Sequence, residues 1–182
     1  MTVKKVAPAR RSAPTKAVAK VAVRAGAPAQ SAAARKSAEA QLRALIDKFA
    51  PAQLRFIGAI RRTLLKHLPA AHELVYEYRD CFVISYAPNE HGYEGALAIR
   101  ASATDVRLYF HGGNALPDPA KLLQGTAKAR WIPLESAATL ARAEVVRLIS
   151  EAIARNSVPY ARAGRGSMVI RPTAASQRGR SA

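Results

Sequence analysis

Cysteine and long apolar runs are scarce in this sequence of 182 residues. Cys81 is the single cysteine, so no intramolecular disulfide can form, which fits a reducing compartment. No apolar run approaches the roughly 20 residues that a membrane-spanning helix needs. The N-terminus also has no apolar core of about 7–15 residues, the mark of a secretory signal. We therefore expect a cytoplasmic protein with no membrane partner.

Acidic residues are missing from both ends of the chain. The formal net charge is +17, from 29 basic residues against 12 acids. Residues 1–38 hold nine basic residues and residues 155–182 hold six, and neither segment contains an acid. Residues 39–154 hold the other 14 basic residues with all 12 acids, which leaves a charge of +2. The basic residues of the first segment are Lys4, Lys5, Arg10, Arg11, Lys16, Lys20, Arg24, Arg35 and Lys36.

Large apolar residues are also missing from the N-terminal segment. Residues 1–36 contain no Leu, Ile or aromatic residue, so they cannot offset the entropy lost on ordering. This segment resembles a transit peptide too, although its three prolines interrupt the amphipathic helix of such a peptide. We predict disordered basic tails over 1–38 and 157–182, with 39–156 as the folded domain. Within the second tail, residues 168–170 are apolar enough to dock on the domain.

Three helices are predicted in the domain. Order is expected to begin at Ser37, a plausible N-cap, with apolar residues at helical spacing through residue 49. Pro51 suits the first turn of a second helix that ends before Pro69. A long final helix is predicted to start after Ser136, with a buried stripe of Ala141, Val145, Leu148, Ile149, Ala152 and Ile153.

Five segments have the character of strands: residues 74–78, 81–87, 95–101, 105–111 and 128–134. In the second segment, for example, Phe82, Ile84 and Tyr86 alternate with Cys81, Val83 and Ser85. Such alternation places one face of a sheet against a core and leaves the other free. The first four segments are joined by short polar connections that suit antiparallel pairing. The sequence therefore predicts an α+β two-layer sandwich, an antiparallel sheet of about five strands covered by two N-terminal helices and a C-terminal helix.

The free face of this sheet is the candidate ligand surface inside the domain. Its members combine cations, an aromatic ring and hydroxyl groups, which suit an anionic or aromatic ligand, or a second subunit. An ordinary solvated sheet face is the alternative. Lys128 and Arg130 are expected nearby. The residues predicted to share this face are Ser85, Arg100, Arg107, Tyr109 and His111.

The glycines between residues 111 and 134 do not predict a phosphate-binding loop. Such a loop needs its glycines at the start of a helix, where free N–H groups face the anion. Here Asp118 is expected to cap a short helix, with Pro119 in its first turn and Gly125 just past its end. Gly112 and Gly113 are expected to allow a sharp exit from a strand at positive φ.

The same stretch resembles a known family. "LYFHGG", "ALPDP", "KLLQG" and "KARWIPL", with "VYE" at residues 75–77, are similar to the YdhG-like family, the domain-of-unknown-function family numbered 1801. The resemblance covers about residues 42–154. Family members usually have a glycine where this chain has Ala127. The resemblance implies a small antiparallel sheet covered by helices, and it implies no established catalytic residues. Its motif here is Gly113, Leu116, Asp118, Pro119, Leu123, Gly125, Lys128 and Arg130.

Some members of that family are described as frataxin-like iron chaperones, which makes carboxylates worth examining. Iron delivery uses clustered carboxylates, and Glu73 and Glu77 could share a strand face. The sequence has neither an HExxH pair nor a GxSxG elbow. Cys81 lies in an apolar segment, and Ser167 lies in the predicted tail. We therefore expect no enzyme, no cofactor and no metal site, with Glu73 and Glu77 as the weaker, iron-binding alternative.

The basic tails carry the strongest functional signal. Cations on an extended, acid-free chain bind polyanions by releasing condensed counterions. The N-terminal tail has no aromatic residue on which a base could stack, so its binding should ignore sequence. The sequence thus predicts non-specific binding of DNA or RNA through the tails. A solubilising tail with no dedicated partner and an anionic membrane surface are the alternatives.

Overall fold

The computed structural model describes residues 30–126 and 129–171. The predictions made for residues 1–29, 127–128 and 172–182, disorder and nucleic-acid contacts among them, lie outside the described residues. The described part contains three α-helices, α1 Ala32–Phe49, α2 Leu54–His67 and α3 Ala143–Ala154. Its strands are β1 His72–Glu77, β2 Cys81–Ala87, β3 Leu97–Ser102, β4 Val106–Phe110, β5 Gln124–Thr126, β6 Ala129–Pro133 and β7 Met168–Arg171.

The strands form one open sheet in the order β5-β6-β4-β3-β2-β1-β7. Every neighbouring pair is antiparallel except β1 and β7, which are parallel. The predicted α+β fold is confirmed, with seven strands instead of about five. Strands β5 and β7 were not predicted because three or four residues are too few to show a period. Within the described residues, no helix combines the length and the apolar character that crossing a bilayer requires.

The helices cover one face of the sheet and form the core with it. The alternation predicted for β2 is correct on this face, where Phe82, Ile84 and Tyr86 are fully buried. Ile99 on β3 and Leu108 on β4 continue the same layer, because each is the cross-strand partner of its neighbour. The buried stripes of all three helices pack against these side chains. The opposite face is the one that can receive a ligand.

Helix α1 begins at Ala32, and the predicted start at Ser37 is therefore wrong. The Ser31 side chain caps the helix by accepting a hydrogen bond from the Ala34 N–H. Alanines with high helix propensity follow, and Ala38 is buried. Arg35 and Lys36, which were assigned to a disordered tail, lie in this helix. The domain boundary at residue 38 must move accordingly.

The C-terminal boundary at residue 156 is also too early. Residues 157–171 belong to the described fold and end in β7, which pairs with β1 over four residues. Met168 is 1% exposed and is part of the core. Residues 168–170 therefore dock on the domain, and they do so as part of a parallel edge strand. A four-residue apolar run becomes a strand here because β1 offers an unpaired edge.

Two helix predictions need correction. No helix forms between Asp118 and Gly125: the Lys121 N–H bonds the Asp118 carbonyl in a turn, and Gly125 lies in β5 at φ +92°. The final helix is interrupted at Arg142, which has extended backbone angles, so a short 3-10 helix precedes α3. Ser136 makes no capping bond through its side chain, and Ala141 is exposed. By contrast, Gly112 has the expected positive φ, at +64°.

Candidate functional site

A groove with a volume of about 970 Å³ runs across the uncovered face of the sheet. Ser85 on β2 pairs with Ala98 on β3, and Ala98 pairs with Tyr109 on β4, so these three share one face. The small Ala98 side chain leaves space between its larger neighbours. His111 lines the groove just beyond the end of β4. Three of the five residues predicted for a ligand face therefore meet in one groove.

The other two predicted residues, Arg100 and Arg107, lie outside the groove lining. They are cross-strand partners, which would place two positive charges side by side. Asp105 separates these charges: it accepts from Arg100 Nη1 at 3.1 Å and pairs with Arg107. The Arg107 guanidinium also lies 4.1 Å above the centre of the Trp131 ring. Both guanidinium groups thus have partners within the fold.

Aromatic rings lie beside the groove and in its lining, in addition to the predicted Tyr109. Trp131 on β6 is the cross-strand partner of Tyr109, and their ring centres are 6.4 Å apart. Tyr76 and Tyr78 line the groove from β1 and the turn after it. The Tyr78 side chain is 43% exposed. Ile132 is buried, and strand alternation from it would have placed Trp131 on the free face.

The loop between β2 and β3 forms one wall of the groove and contacts β7. Glu90 in this loop accepts a hydrogen bond from the Ser167 hydroxyl at 2.8 Å. The Glu90 carbonyl accepts from Arg171 Nη2 at 2.6 Å, and both Glu90 and Arg171 line the groove. Loop and edge strand therefore hold each other in place.

Ser167 and His72 meet beside this wall, a pairing that the tail prediction for Ser167 missed. Ser167 is 9% exposed, and its Oγ lies 2.7 Å from His72 Nδ1. The Ser167 N–H donates to the same nitrogen at 3.3 Å. Burial lowers the pKa of His72, although the Glu90 carboxylate opposes that shift. Glu90 bonds the hydroxyl and not the imidazole, so the three groups lack the acid–histidine–serine order of a catalytic triad.

The carboxylates considered for iron have cationic partners. Glu73 is 1% exposed and accepts hydrogen bonds from Arg61 on both oxygens at 2.9 Å. Glu77 accepts from Lys48 Nζ at 2.7 Å. Both carboxylates lie on the helix-covered face, since Glu73 pairs with Tyr86 and Glu77 with Phe82. Among the described residues, no group of three or more His, Cys, Asp or Glu is placed to hold a metal ion.

The residues of the family motif make contacts within the fold. The Asp118 carboxylate accepts from the backbone N–H groups of Leu122 and Leu123 at 2.9 and 2.8 Å. Arg130 Nη2 donates to the Leu123 carbonyl at 3.0 Å and lies 3.8 Å from Asp118. Leu116 and Leu123 are buried, Pro119 is exposed, and Lys128 falls outside the described residues. Asp118 thus occupies amide donors that a bound anion would need.

Two glycines of this motif allow close packing. A Cβ on Gly113 would lie 2.6 Å from the Arg130 Cβ, and a Cβ on Gly125 would lie 2.2 Å from the Ala129 carbonyl oxygen. Cys81 is also buried, and burial raises the pKa of its thiol while the neighbouring Arg100 opposes the shift. A raised thiol pKa lowers the fraction of the nucleophilic thiolate at neutral pH.

The described fold includes some of the basic residues that were predicted to lie in the tails. Residues 30–171 contain 20 basic residues and all 12 acids, a charge of +8, whereas residues 39–154 alone carry +2. Arg35 donates a hydrogen bond to the Gly166 carbonyl at 2.9 Å and so helps to stabilise the fold. Arg162 and Arg165 are exposed in the segment that leads to β7. Nine basic residues and no acid remain outside residues 30–171.

Both chain ends leave the fold at the same edge of the sheet. The Gln30 side chain donates to the Met168 carbonyl at 2.7 Å and accepts from the Met168 N–H at 2.9 Å. Gln30 thereby satisfies backbone groups on the outer edge of β7. Arg171, the last described residue, is three strand residues further on, a distance of about 10 Å. Gln30 and Arg171, the first and last described residues, therefore lie at the same edge of the sheet.

Comparisons of the chain with protein-family models, with curated proteins and with solved structures found no match. The YdhG-like resemblance stays a prediction from the residues quoted above.

Proposed function

We propose that this protein is a non-enzymatic, cytoplasmic nucleic-acid-binding protein with a YdhG-like domain, and that its acid-free basic segments bind DNA or RNA without regard to sequence. One observation carries the proposal: the two segments start at one edge of the sheet, where Gln30 bonds Met168. Nine basic residues are thereby joined to a single edge of the fold, beside the exposed Arg162 and Arg165. Two linked cationic segments raise each other's effective concentration at a polyanion.

Binding through such basic segments should depend on salt concentration in a defined way. Each phosphate neutralised by Lys or Arg releases condensed counterions, so the logarithm of the binding constant falls linearly with the logarithm of salt concentration. If roughly eight phosphates are engaged, the slope on duplex DNA should be near −7. Because no base contacts are involved, duplexes of different sequence should bind equally well.

The test uses the full chain with its seven N-terminal cations changed to Gln: Lys4, Lys5, Arg10, Arg11, Lys16, Lys20 and Arg24. Fluorescence anisotropy with a labelled duplex should show most of the affinity and of the salt slope lost. A control removes seven exposed cations of the fold in the same way: Arg43, Arg55, Arg62, Lys66, Arg79, Arg142 and Arg147. Equal losses in the two variants would contradict the assignment to the segments, and no duplex binding by the native chain at low salt would contradict the function.

The two alternatives have less support. An iron chaperone would use Glu73 and Glu77, yet Arg61 and Lys48 occupy their oxygens. Calorimetric titration with ferrous iron, repeated on the Glu73→Gln and Glu77→Gln variants, would reveal such a site. An enzyme or receptor for small anions would use Arg100 and Arg107, which already pair with the carboxylates of Asp105 and, for Arg100, Asp80. A ligand-dependent melting shift that Arg107→Ala abolishes would favour it.

A further inference from the structure

The basic N-terminal segment and the folded domain supply different chemistry. Residues 1–38 contain no aromatic side chain, so contacts made there are contacts to phosphate. The uncovered face of the sheet, in contrast, presents Tyr109 and Trp131 side by side and Tyr76 and Tyr78 across the groove. Tyr109 is half-buried and Tyr78 is exposed, and both line the groove, whereas Trp131 lies outside the lining with Arg107 over its ring.

We propose that this groove binds the bases of a single-stranded nucleic acid, with Tyr109 as the stacking ring. The inference rests on the proposed function, because the basic segments hold the phosphates of the same strand. Bases in a single strand can be unstacked and laid on aromatic side chains, and such stacking tolerates any sequence. A duplex keeps its bases paired inside and offers this groove nothing to stack.

The dimensions of the groove suit a short stretch of strand. Tyr76 on β1 and Ala129 on β6 both line the groove and are separated by four strand spacings along the sheet order, roughly 19 Å. The groove volume of about 970 Å³ lies at the upper end of the range for ligand pockets, about 300–1,000 Å³. Ser85 and His111 on its floor and rim provide polar atoms for base edges.

Charge also favours a nucleic acid over a neutral aromatic ligand. Arg171 lines the groove and is the residue from which the C-terminal basic segment, with Arg178 and Arg180, continues. A strand that lies across the groove therefore meets a cation at the end formed by β7. Glu90, the one acid in the lining, is engaged by Ser167.

Trp131 is the single tryptophan of the chain, so its fluorescence reports on this site alone. The native protein should be titrated with a six-residue oligothymidylate, with inorganic polyphosphate of similar charge and with a short duplex. We expect the oligothymidylate to quench Trp131 with saturation, because a base stacked on Tyr109 comes close to the indole, whose ring centre is 6.4 Å from that of Tyr109. Polyphosphate and duplex should bind the basic segments without that quenching. Equal quenching by polyphosphate, or no saturable quenching by the oligothymidylate, would overturn the proposal.

Tyr109 variants provide the matched comparison. Tyr109→Ala should weaken oligothymidylate binding about five- to 150-fold, the effect of losing one stacked base, while Tyr109→Phe keeps the ring and should stay within about twofold. Circular dichroism establishes that both are folded. A folded Tyr109→Ala variant with native affinity would contradict the stacking site. The two proposals fail separately: the seven-Gln variant should lose duplex binding and need more oligothymidylate, yet reach the same quenching at saturation, whereas Tyr109→Ala should keep the native duplex affinity and salt slope and lose oligothymidylate affinity.

Discussion

Arg61 donates a hydrogen bond to each oxygen of Glu73, from Nε and Nη2 at 2.9 Å, and Glu73 is 1% exposed. The same guanidinium donates to both oxygens of Glu39 at 3.0 Å. Arg35 lies 3.5 Å from Glu73. Two cations and two carboxylates therefore join α1, α2 and β1, and their charges balance. This network holds the first turns of α1 on the sheet.

Removal of Arg61 should destabilise the fold strongly. Arg61→Met keeps much of the side-chain volume but leaves the buried Glu73 carboxylate without hydrogen bonds from Arg61 and with Arg35, 3.5 Å away, as its remaining cationic neighbour, a loss that costs up to about 3–5 kcal/mol. Urea denaturation followed by circular dichroism measures the free energy of unfolding. Arg62→Met, an exposed neighbour on the same helix, serves as the control and should change stability by less than about 0.5 kcal/mol. Similar values for the two variants would show that the network contributes little.

Acidification should weaken the contact between β7 and the Glu90 loop through His72. Because burial lowers its pKa, folded His72 resists protonation, whereas the unfolded chain takes up a proton near pH 6.5. The unfolded state thus binds more protons below that pH, so the stabilisation is full above about 6.5 and is lost as the pH falls through it. Unfolding free energies measured from pH 8 to 5 should fall less steeply for His72→Asn than for the native chain. Parallel curves would show that His72 does not contribute.

Gln30 should control how firmly β7 is attached. Gln30→Ala removes two hydrogen bonds to the backbone of Met168, worth about 1–3 kcal/mol together. Hydrogen exchange should become faster at the Met168 amide, while amides in β2 and β3 keep their protection. Gln41→Ala is the control, because Gln41 is exposed on α1 and bonds only to Ser37 in the contacts described. Unchanged exchange at Met168 would contradict the role given to Gln30.

Two glycine-to-alanine changes should have opposite effects. Gly125 has φ +92°, and a Cβ there would meet the Ala129 carbonyl at 2.2 Å, so Gly125→Ala should cost about 1–3 kcal/mol. Gly58 lies inside α2 with its nearest contact at 3.5 Å, so Gly58→Ala should stabilise by about 0.5–1 kcal/mol. Thermal unfolding of both variants checks the signs. A neutral Gly125→Ala change would mean that β5 shifts without penalty.

The local sequence pattern was sufficient to predict the strands that pair with their neighbours in the sequence. Strand β2 was predicted with its observed bounds because seven residues alternate between large apolar side chains and smaller ones. The α+β class follows, since four successive strands with short connections pair as a meander. The helix predicted over residues 118–125 was wrong because a proline and a capping Asp suit a tight turn as well as a helix. In the structure the Asp118 carboxylate accepts hydrogen bonds from the backbone N–H groups of Leu122 and Leu123, and no helix forms there.

The sequence by itself determined the alternation of the central strands and the absence of acids from both ends, because these depend on residue type and spacing alone. Tertiary structure decided which residues near the two ends take part in the described fold. Arg35 is ordered by Glu73, 38 positions away, and Met168 by Gln30, 138 positions away. It also decided that Tyr109 and Trp131 meet, which requires the register between β4 and β6. Contacts between residues so far apart leave no local period, because each depends on how the chain folds back on itself.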